Sequence, residues 1–523
     1  MHSHVHCFCQ EIKSNVLVRL QQIKIEENRS KHPFKSNLSF SDRWAIDWLK
    51  QNHDYIDVPS DKGLGTVLTT RAKHDLLIQE QLNAAFLPVS ESEITTCFDS
   101  VVRDIRKNLF FANEMKLLQP VVQDFCSCLC NRQIARLPIV RALVKVHKPT
   151  VSVRLLVANT AWITSPIAVW LAAILQPLID DFDTVASSSE DVVLGLNKLG
   201  SAELVGAKVN SYDVEKLYPS IDQERCSATI HASVVRHFEA HPVPKWGALV
   251  ELIDAFVLIV FTAQFAIWCS RGIQRRFRQV KGISTGLACG SQFANIFLQA
   301  LDHSISATFG ADIALYQRYI DDILVIGTMS LSALLMHMNA FDDGIVITHD
   351  NKELGQATNF LDLYITLNRH DVMYETYRKP LCTYDYLPFA SCHSESTRLG
   401  IFKSELVRLL RTNKIRSGFD REAEFTFRKL IDRGYCRVAL RKIRSQITWD
   451  SKKDFSEPKK ANKDLRVLPF KIRYSDAVRK IGIGGIIASQ MSGLPRDFSA
   501  AHRIVLCHVS NKNLFRLRYH RFL

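Results

Sequence analysis

Three aspartates carry the sharpest chemical signal in this sequence. Asp321 and Asp322 are adjacent, in Tyr319-Ile320-Asp321-Asp322, between two β-favouring flanks at 314–320 and 323–327. A hairpin there holds two carboxylates side by side at its tip. Adjacent carboxylates repel each other and are costly unless a cation sits between them. Mg²⁺ is the natural cation for hard oxygen ligands. Taken alone, the string is equally the mark of an ordinary turn with two solvated aspartates. Asp213 shifts that balance. It ends an apolar strand far upstream, in Ser211-Tyr212-Asp213-Val214. Phosphoryl transfer by two divalent ions needs acidic residues from separate strands to clamp them. Asp213 and Asp321 are expected to hold two Mg²⁺ ions, with Mn²⁺ as a substitute, and Asp322 to support them. Tyr218 lies five residues after Asp213, where strand turns into helix. Its ring is placed to lie under an incoming sugar and clash with a 2′-hydroxyl; the plain alternative is a core aromatic.

These residues need a rigid frame, and the pattern around them supplies one. Residues 203–214 read as a strand entering an acidic turn, with a helix after it, and 313–327 read as the acidic hairpin. Residues 137–160 read as an extended basic hairpin: Arg141, Lys145, His147 and Lys148, a Pro149-Thr150 turn, then Arg154 in an apolar strand. An apolar helix is expected over 163–179 and further helices over 248–262 and 291–306. A hairpin over 264–279 turns at Arg271-Gly272, and short strands continue to about residue 377. Asp61-Lys62-Gly63-Leu64-Gly65 could offer backbone N–H groups to a phosphate, although such a loop is more often only a turn. Segment 398–444 holds 14 Lys+Arg against 5 Asp+Glu, a net +9, with Leu399, Phe402, Leu406, Leu409 and Leu410 at helical spacing. That is a basic helical domain. Residues 451–465 are Lys-rich, contain Pro458 and read as a linker.

The whole chain sets the outer bounds. Its 523 residues suffice for two to four domains, and 47% hydrophobic content excludes a disordered chain. The formal charge of +14 fits a polyanionic partner, of which nucleic acid is the commonest. Thirteen cysteines in no disulfide framework, and no apolar leader in 1–10, point to a reducing nuclear or cytoplasmic compartment rather than secretion. Cys126, Cys128 and Cys130 lack zinc-knuckle spacing. The apolar runs at 163–179 and 255–269 are too short or too interrupted to span a membrane.

The motifs together resemble the reverse transcriptase superfamily and, within it, the Penelope-like retroelements, from about Pro59 to Gly484. Asp61-Lys62-Gly63 resembles that family's N-terminal signature. Leu143-Val144-Lys145-Val146-His147-Lys148-Pro149 with Arg154 resembles its fingers motif, which implies triphosphate binding by Lys145 and Arg154. Ser211–Ile221 resembles the first palm motif, with Asp213 as metal ligand and Tyr218 as sugar gate. Gln279–Phe297, with Gly282 and Gly286, resembles the motif that positions template and nucleotide, although it lacks the usual Ser-Pro pairs. Asn359-Phe360-Leu361-Asp362 resembles an element near the primer grip, which implies that role for Phe360 and Leu361. Tyr377-Arg378-Lys379-Pro380 and Arg433-Gly434-Tyr435 are similar to strings of the Penelope-like elements.

The resemblance implies an α/β right-hand polymerase with a largely helical N-terminal region. Its expected parts are 1–120 N-terminal, 121–377 fingers and palm, 378–450 a basic helical thumb, and 451–523 a linker and basic tail. The expected reaction is RNA-templated DNA synthesis, with an RNA template, a DNA primer and dNTPs as partners. Arg408, Arg411 and Lys414 are expected to contact the nucleic-acid backbone. An RNA-dependent RNA polymerase usually has Gly before the aspartate pair, where this chain has Ile320. A telomerase is expected to carry a long N-terminal RNA-binding domain. From another class, a decayed copy that only binds nucleic acid is opposed by the intact aspartates. The region 466–523 offers no nuclease constellation, so the enzyme is expected to extend existing 3′ ends, with truncation of a longer, nuclease-bearing gene as the alternative.

Overall fold

The computed structural model describes residues 39–456, except 64, 147–149, 271, 350–354, 381 and 392, together with 466–473 and 502–509. The chain forms two compact units, one of residues 53–383 and one of 1–52 with 384–523. Residues 53–120 therefore fall with 121–383 rather than standing apart. The fold is α/β, as expected for a right-hand polymerase. The described N-terminal stretch is mostly helical, over Phe40–Gln51, Arg71–Ala85 and Glu91–Met115, with short strands between.

The centre of the larger unit is a four-stranded antiparallel sheet. Its order is Val346–His349, Lys208–Glu215, Asp322–Gly327, Ile313–Tyr319. The middle strand Asp322–Gly327 is covered on both faces and accordingly reads as a continuous apolar run rather than an alternation. Ile323, Leu324, Val325 and Ile326 are all fully buried. One face packs on the helices Ser165–Asp180, Gln223–Ala240, Trp246–Thr262 and Gly290–Phe309, which share a core with Tyr212, Val214, Ile323 and Val325. The other packs on the three-stranded sheet Ala357–Phe360, Leu363–Leu367, Val372–Thr376, through Val209, Leu324 and Ile326. The apolar run at 163–179 is thus a core helix, and no described helix is long and apolar enough to cross a membrane.

The basic hairpin forms as the sequence predicts, with Val140–Lys145 antiparallel to Ser152–Val157; its turn residues 147–149 lie outside the described residues. The hairpin over 264–279 also forms, as Phe265–Ser270 with Ile273–Gln279, and Gly272 takes φ +77 at its turn.

In the smaller unit, Glu395–Thr412, Arg416–Asp432 and Arg437–Gln446 are helices. Phe402, Leu406, Leu409, Leu410, Phe419 and Leu440 are fully buried between them. Arg433-Gly434-Tyr435 clasps the segment before these helices. Arg433 Nε donates to Tyr386 O at 2.8 Å and Tyr435 Oη to Leu387 O at 2.9 Å. The reading of 451–523 as linker and tail is altered in two places. Lys452–Ser456 is helical, and Arg466–Arg473 pairs in parallel with His502–Val509. The helix expected over 475–481 and the basic tail lie outside the described residues.

Candidate active site

The strand Lys208–Glu215 and the hairpin bring the three aspartates to one end of the central sheet. Asp213 stands directly opposite Asp322 in the register. The hairpin closes tightly: Tyr319 pairs Asp322, and Ile320 sits between with φ +58. A β-branched residue in the left-handed region is strained and persists only where its surroundings hold it. Here Val214 N donates to Asp321 O at 3.0 Å, and Arg318 Nη1 donates to Ile320 O at 3.2 Å.

Arg318 is the clamp. It is fully buried, and its guanidinium bonds Asp302 through Nε at 2.9 Å and Nη2 at 2.7 Å, and Asn295 Oδ1 through Nη1 at 2.8 Å. Asp302 also accepts from Tyr316 at 2.7 Å and Thr184 at 3.0 Å. A buried charge pair is tolerable only when its remaining donors and acceptors are satisfied in this way. Sequence reading missed this pair, because its partners lie 16 residues apart on different elements.

The electrostatics of the aspartates follow from crowding. Burial pushes the Asp322 carboxyl up to about 7, and the charges of Asp321 and Asp213 push in the same direction; Lys379 and Lys62 oppose them. Asp321 is also raised, chiefly by burial, while its own backbone N–H, Arg154, Lys62 and Lys145 hold it down. Carboxylates whose ionisation is opposed by burial and, at Asp322, by neighbouring carboxylates are a donor set that suits a hard divalent cation. On that chemistry the residues fit the expected Mg²⁺.

Tyr218 follows on the short helix Leu217–Ser220. Its hydroxyl is pushed up to about 12 by burial first and then by Asp321, with Arg154 opposing. The glycine motif wraps round it. Gly282 has φ +75, and a Cβ there would lie 2.5 Å from Pro219 Cα and Tyr218 O. Gly286 has φ +117, and its Cβ would lie 2.6 Å from Val157 O. A Cβ on Gly290 would meet the Tyr218 ring at 3.1 Å. Only glycine admits the approaches at Gly282 and Gly286, while at Gly290 a Cβ would crowd the ring. Buried Gln264 holds the same loop, its Oε1 accepting from Ser284 N at 2.9 Å. Ser284 Oγ donates to Gln279 Oε1 at 2.5 Å.

Lys145 and Arg154 lie on the two strands of the basic hairpin, and both act on Asp321. Phe360 does not reach outward. It is 2% exposed in the core between the two sheets, so its side chain cannot touch a primer. Leu361 takes φ +55 at the turn to the next strand and packs against that same core. Lys62 and Lys379 are neighbours of the aspartates that the site reading did not select. The signal for both was present, since each stands in a motif already singled out.

Away from this site, among the described residues, Asp181, His237 and His241 bring ligand atoms within 4.8 Å of one another. His237 Nδ1 lies 3.2 Å from Asp181 Oδ2, a histidine–aspartate pairing on a largely exposed surface. Cys126 and Cys130 are buried, and burial pushes the Cys126 thiol up to about 12, far from the thiolate that zinc requires.

In the smaller unit Arg408, Arg411 and Lys414 are half-buried rather than exposed. Arg408 pairs with Glu405 at 2.9 Å, and Arg411 Nε donates to Phe455 O at 2.8 Å, tying down Lys452–Ser456. Arg437, Arg441 and Lys442 are the exposed cations on Arg437–Gln446. Helical spacing finds a basic helix but does not tell which of its cations are used internally.

No protein-family model and no curated protein sequence matches the chain. Solved structures do resemble it. Telomerase from Candida albicans, in complex with a fragment of telomeric RNA, has 12% identity and a TM-score of 0.49 over 91% of this chain and 79% of that one. The BmCPV RNA-dependent RNA polymerase at its elongation state has 13% identity and a TM-score of 0.39 over 74% of this chain, which spans 32% of that polymerase. The Sicinivirus 3Dpol RNA-dependent RNA polymerase has 11% identity and a TM-score of 0.36 over 60% of this chain and 67% of that one. These are likenesses of shape at low identity, and the reading of the site rests on its own residues.

Proposed function

We propose that this chain is a reverse transcriptase, an RNA-directed DNA polymerase of a Penelope-like retroelement. The observation that carries the reading is the set of three aspartates at one sheet end, Asp213 facing Asp322 across the register, with basic side chains from a separate hairpin acting on Asp321. Asp213 and Asp321 would hold two Mg²⁺ ions, and Asp322 would support them. When bound, the ions supply activation of the primer 3′-hydroxyl and neutralisation of the triphosphate. The chain's own part is positioning. Lys145 and Arg154 bind the triphosphate and align it with the aspartates, as fixed cations do without reorganisation at the moment of reaction. Tyr218, held by Gly282 and Gly290, sits under the sugar and excludes a 2′-hydroxyl. Arg318 and Asp302 keep the hairpin rigid. The exposed cations of 398–444 hold the template–primer by its phosphates without reading sequence.

The test is primer extension by the purified chain on an RNA template with dNTPs and Mg²⁺. Extension is expected from the wild type. Asp321→Asn is expected to lower the rate by several powers of ten with template–primer affinity nearly intact. Extension by Asp321→Asn at the wild-type rate overturns the assignment. Incorporation of rNTPs in preference to dNTPs makes the chain an RNA polymerase instead.

A further inference from the structure

Between the antiparallel strands Tyr55–Pro59 and Thr66–Thr70, the described residues Ser60, Asp61 and Gly65 are fastened in place. Ser60 closes the loop twice on Gly65 O, by its N–H at 3.0 Å and its hydroxyl at 2.7 Å. Ser60 also bridges Val144, next to Lys145. Asp61 is 4% exposed, and its Oδ1 lies 3.5 Å from Arg154 Nη1 on the other strand of the basic hairpin. A carboxylate this buried persists only with a cationic partner. The Asp61 Oδ2 atom has no hydrogen-bond partner among the described residues, so Arg154 is its ionic anchor. The loop is therefore pinned at both strands of the hairpin that carries Lys145 and Arg154.

Lys62 stands at the apex of this pinned loop, exposed, with φ +58. A lysine in the left-handed region is less favourable there than glycine or asparagine. The Lys62 charge is felt elsewhere: with Arg154 and Lys145 it is one of three cations that act on Asp321, and it acts on Asp322 as well. Two elements distant in sequence thus bring three cations together, since Lys62 follows Asp61, which faces Arg154, and Ser60 bridges Val144, next to Lys145. Cations beside carboxylates that are meant to hold metal ions oppose metal binding unless an anion joins the assembly. A nucleoside triphosphate is the anion that would lie between these cations and the ions.

We propose that Lys62 is a third triphosphate-binding cation, presented to the incoming nucleotide by a loop that Asp61 locks onto Arg154. The proposal rests on the polymerase reading for the identity of the nucleotide, though not for the binding of a triphosphate. Lys62 acts as a point charge on the phosphates, while Arg154, oriented by Asp61, supplies a planar fork.

The experiment uses the full chain and two readouts. One is the KM for dNTP in primer extension, with template–primer affinity measured in parallel. The other is equilibrium binding of inorganic tripolyphosphate with Mg²⁺. Lys62→Asn keeps a side chain that accepts the left-handed backbone and removes the charge; Lys62→Arg keeps the charge. Lys62→Asn is expected to raise KM about tenfold or more and to weaken tripolyphosphate binding similarly, with template–primer affinity within about twofold; Lys62→Arg is expected to recover most of both. If the wild type extends primers and Lys62→Asn leaves KM and tripolyphosphate binding unchanged, the proposal is overturned and the polymerase reading stands. If the wild type does not extend primers yet Lys62→Asn weakens tripolyphosphate binding, the polymerase reading fails and the Lys62 site stands. Loss of neither readout in a chain that does not extend primers overturns both.

Discussion

At the scale of single residues, Asp322 ties the site to pH. Its carboxyl is raised to about 7 by burial and by Asp321 and Asp213. A raised carboxyl means that the folded chain holds this proton more tightly than the unfolded chain does. Without metal, stability from this group is therefore full below the unfolded carboxylate range and is lost as pH rises through about 7. The thermal midpoint of the metal-free chain is expected to fall between pH 5 and 8, by an amount that Mg²⁺ reverses and that Asp322→Asn abolishes. A midpoint with the same pH profile in wild type and Asp322→Asn would remove Asp322 from the cluster. Tyr218 makes a second prediction at this scale. Its ring is packed by the glycine motif at Gly290 and lies near Asp321. Tyr218→Val is expected to raise rNTP incorporation relative to dNTP by about tenfold or more, read from competing extension reactions. An unchanged ratio returns Tyr218 to a packing role. The meeting of Asp213 with Asp321 and Asp322 was legible because a strand ending in Asp and a Tyr-x-Asp-Asp hairpin both announce themselves locally. Burial was not. Phe360 and Leu361 stand in a recognisable string, and nothing in that string says that the phenylalanine faces the core.

At the scale of elements, the hairpin Ile313–Gly327 is held less by its own turn than by what lies beneath it. The turn puts Ile320 at φ +58, which is unfavourable, so the geometry of Asp321 depends on the Arg318–Asp302 pair below. Removing one partner leaves the other charge buried alone. Arg318→Met is expected to destabilise the chain by about 3–5 kcal/mol in urea unfolding. The double variant Arg318→Met/Asp302→Leu is expected to recover part of that loss, because no buried charge then remains. A double variant less stable than the sum of the single changes would deny the coupling. Strands and helices around the site were largely readable, since their apolar periods of two and of 3.6 are local signals. The Arg318 clamp and the pinning of Asp61 on Arg154 were not, because each joins residues far apart in the chain. The strand pair Arg466–Arg473 with His502–Val509 was missed for the same reason. Parallel pairing needs a crossover, and no short-range turn marks it.

At the scale of the whole molecule, charge is unevenly spread, and that unevenness has a measurable consequence. Segment 398–444 carries a net +9 of the chain's +14. Its apolar stripe is spent on its own core, through Phe402, Leu406, Leu409 and Leu410, which leaves the polar faces of its helices to solvent. Some of the positive charge is neutralised internally: Arg408 by Glu405, Arg428 by Glu424, and Arg444 by Asp420. Arg411 is occupied with Phe455 O. Lys403 is exposed on Glu395–Thr412, and a cluster of cations is offered outward on Arg437–Gln446, where Arg437, Arg441 and Lys442 are exposed around the single buried Leu440. A short helix anchored by Leu440 and the half-buried Ile443, with three exposed cations, contributes less to the core than to the field outside. If this unit holds template–primer by phosphate contacts, each contact releases condensed counterions. The logarithm of affinity then falls against the logarithm of salt with a slope of about −0.9 per neutralised phosphate on duplex DNA. Neutralising Arg437, Arg441 and Lys442 together to Gln is expected to flatten that slope by about two to three units. Unfolding stability should change little, since exposed substitutions away from a core or cap usually stay within about ±0.5 kcal/mol each. Neutralising Arg411 should do the reverse, lowering stability through the lost anchor to Phe455 while leaving the slope nearly as it was. The paired measurement separates a binding face from a packing face on neighbouring helices. A slope unmoved by the triple variant, in a chain whose stability is also unmoved, removes Arg437–Gln446 from the nucleic-acid surface.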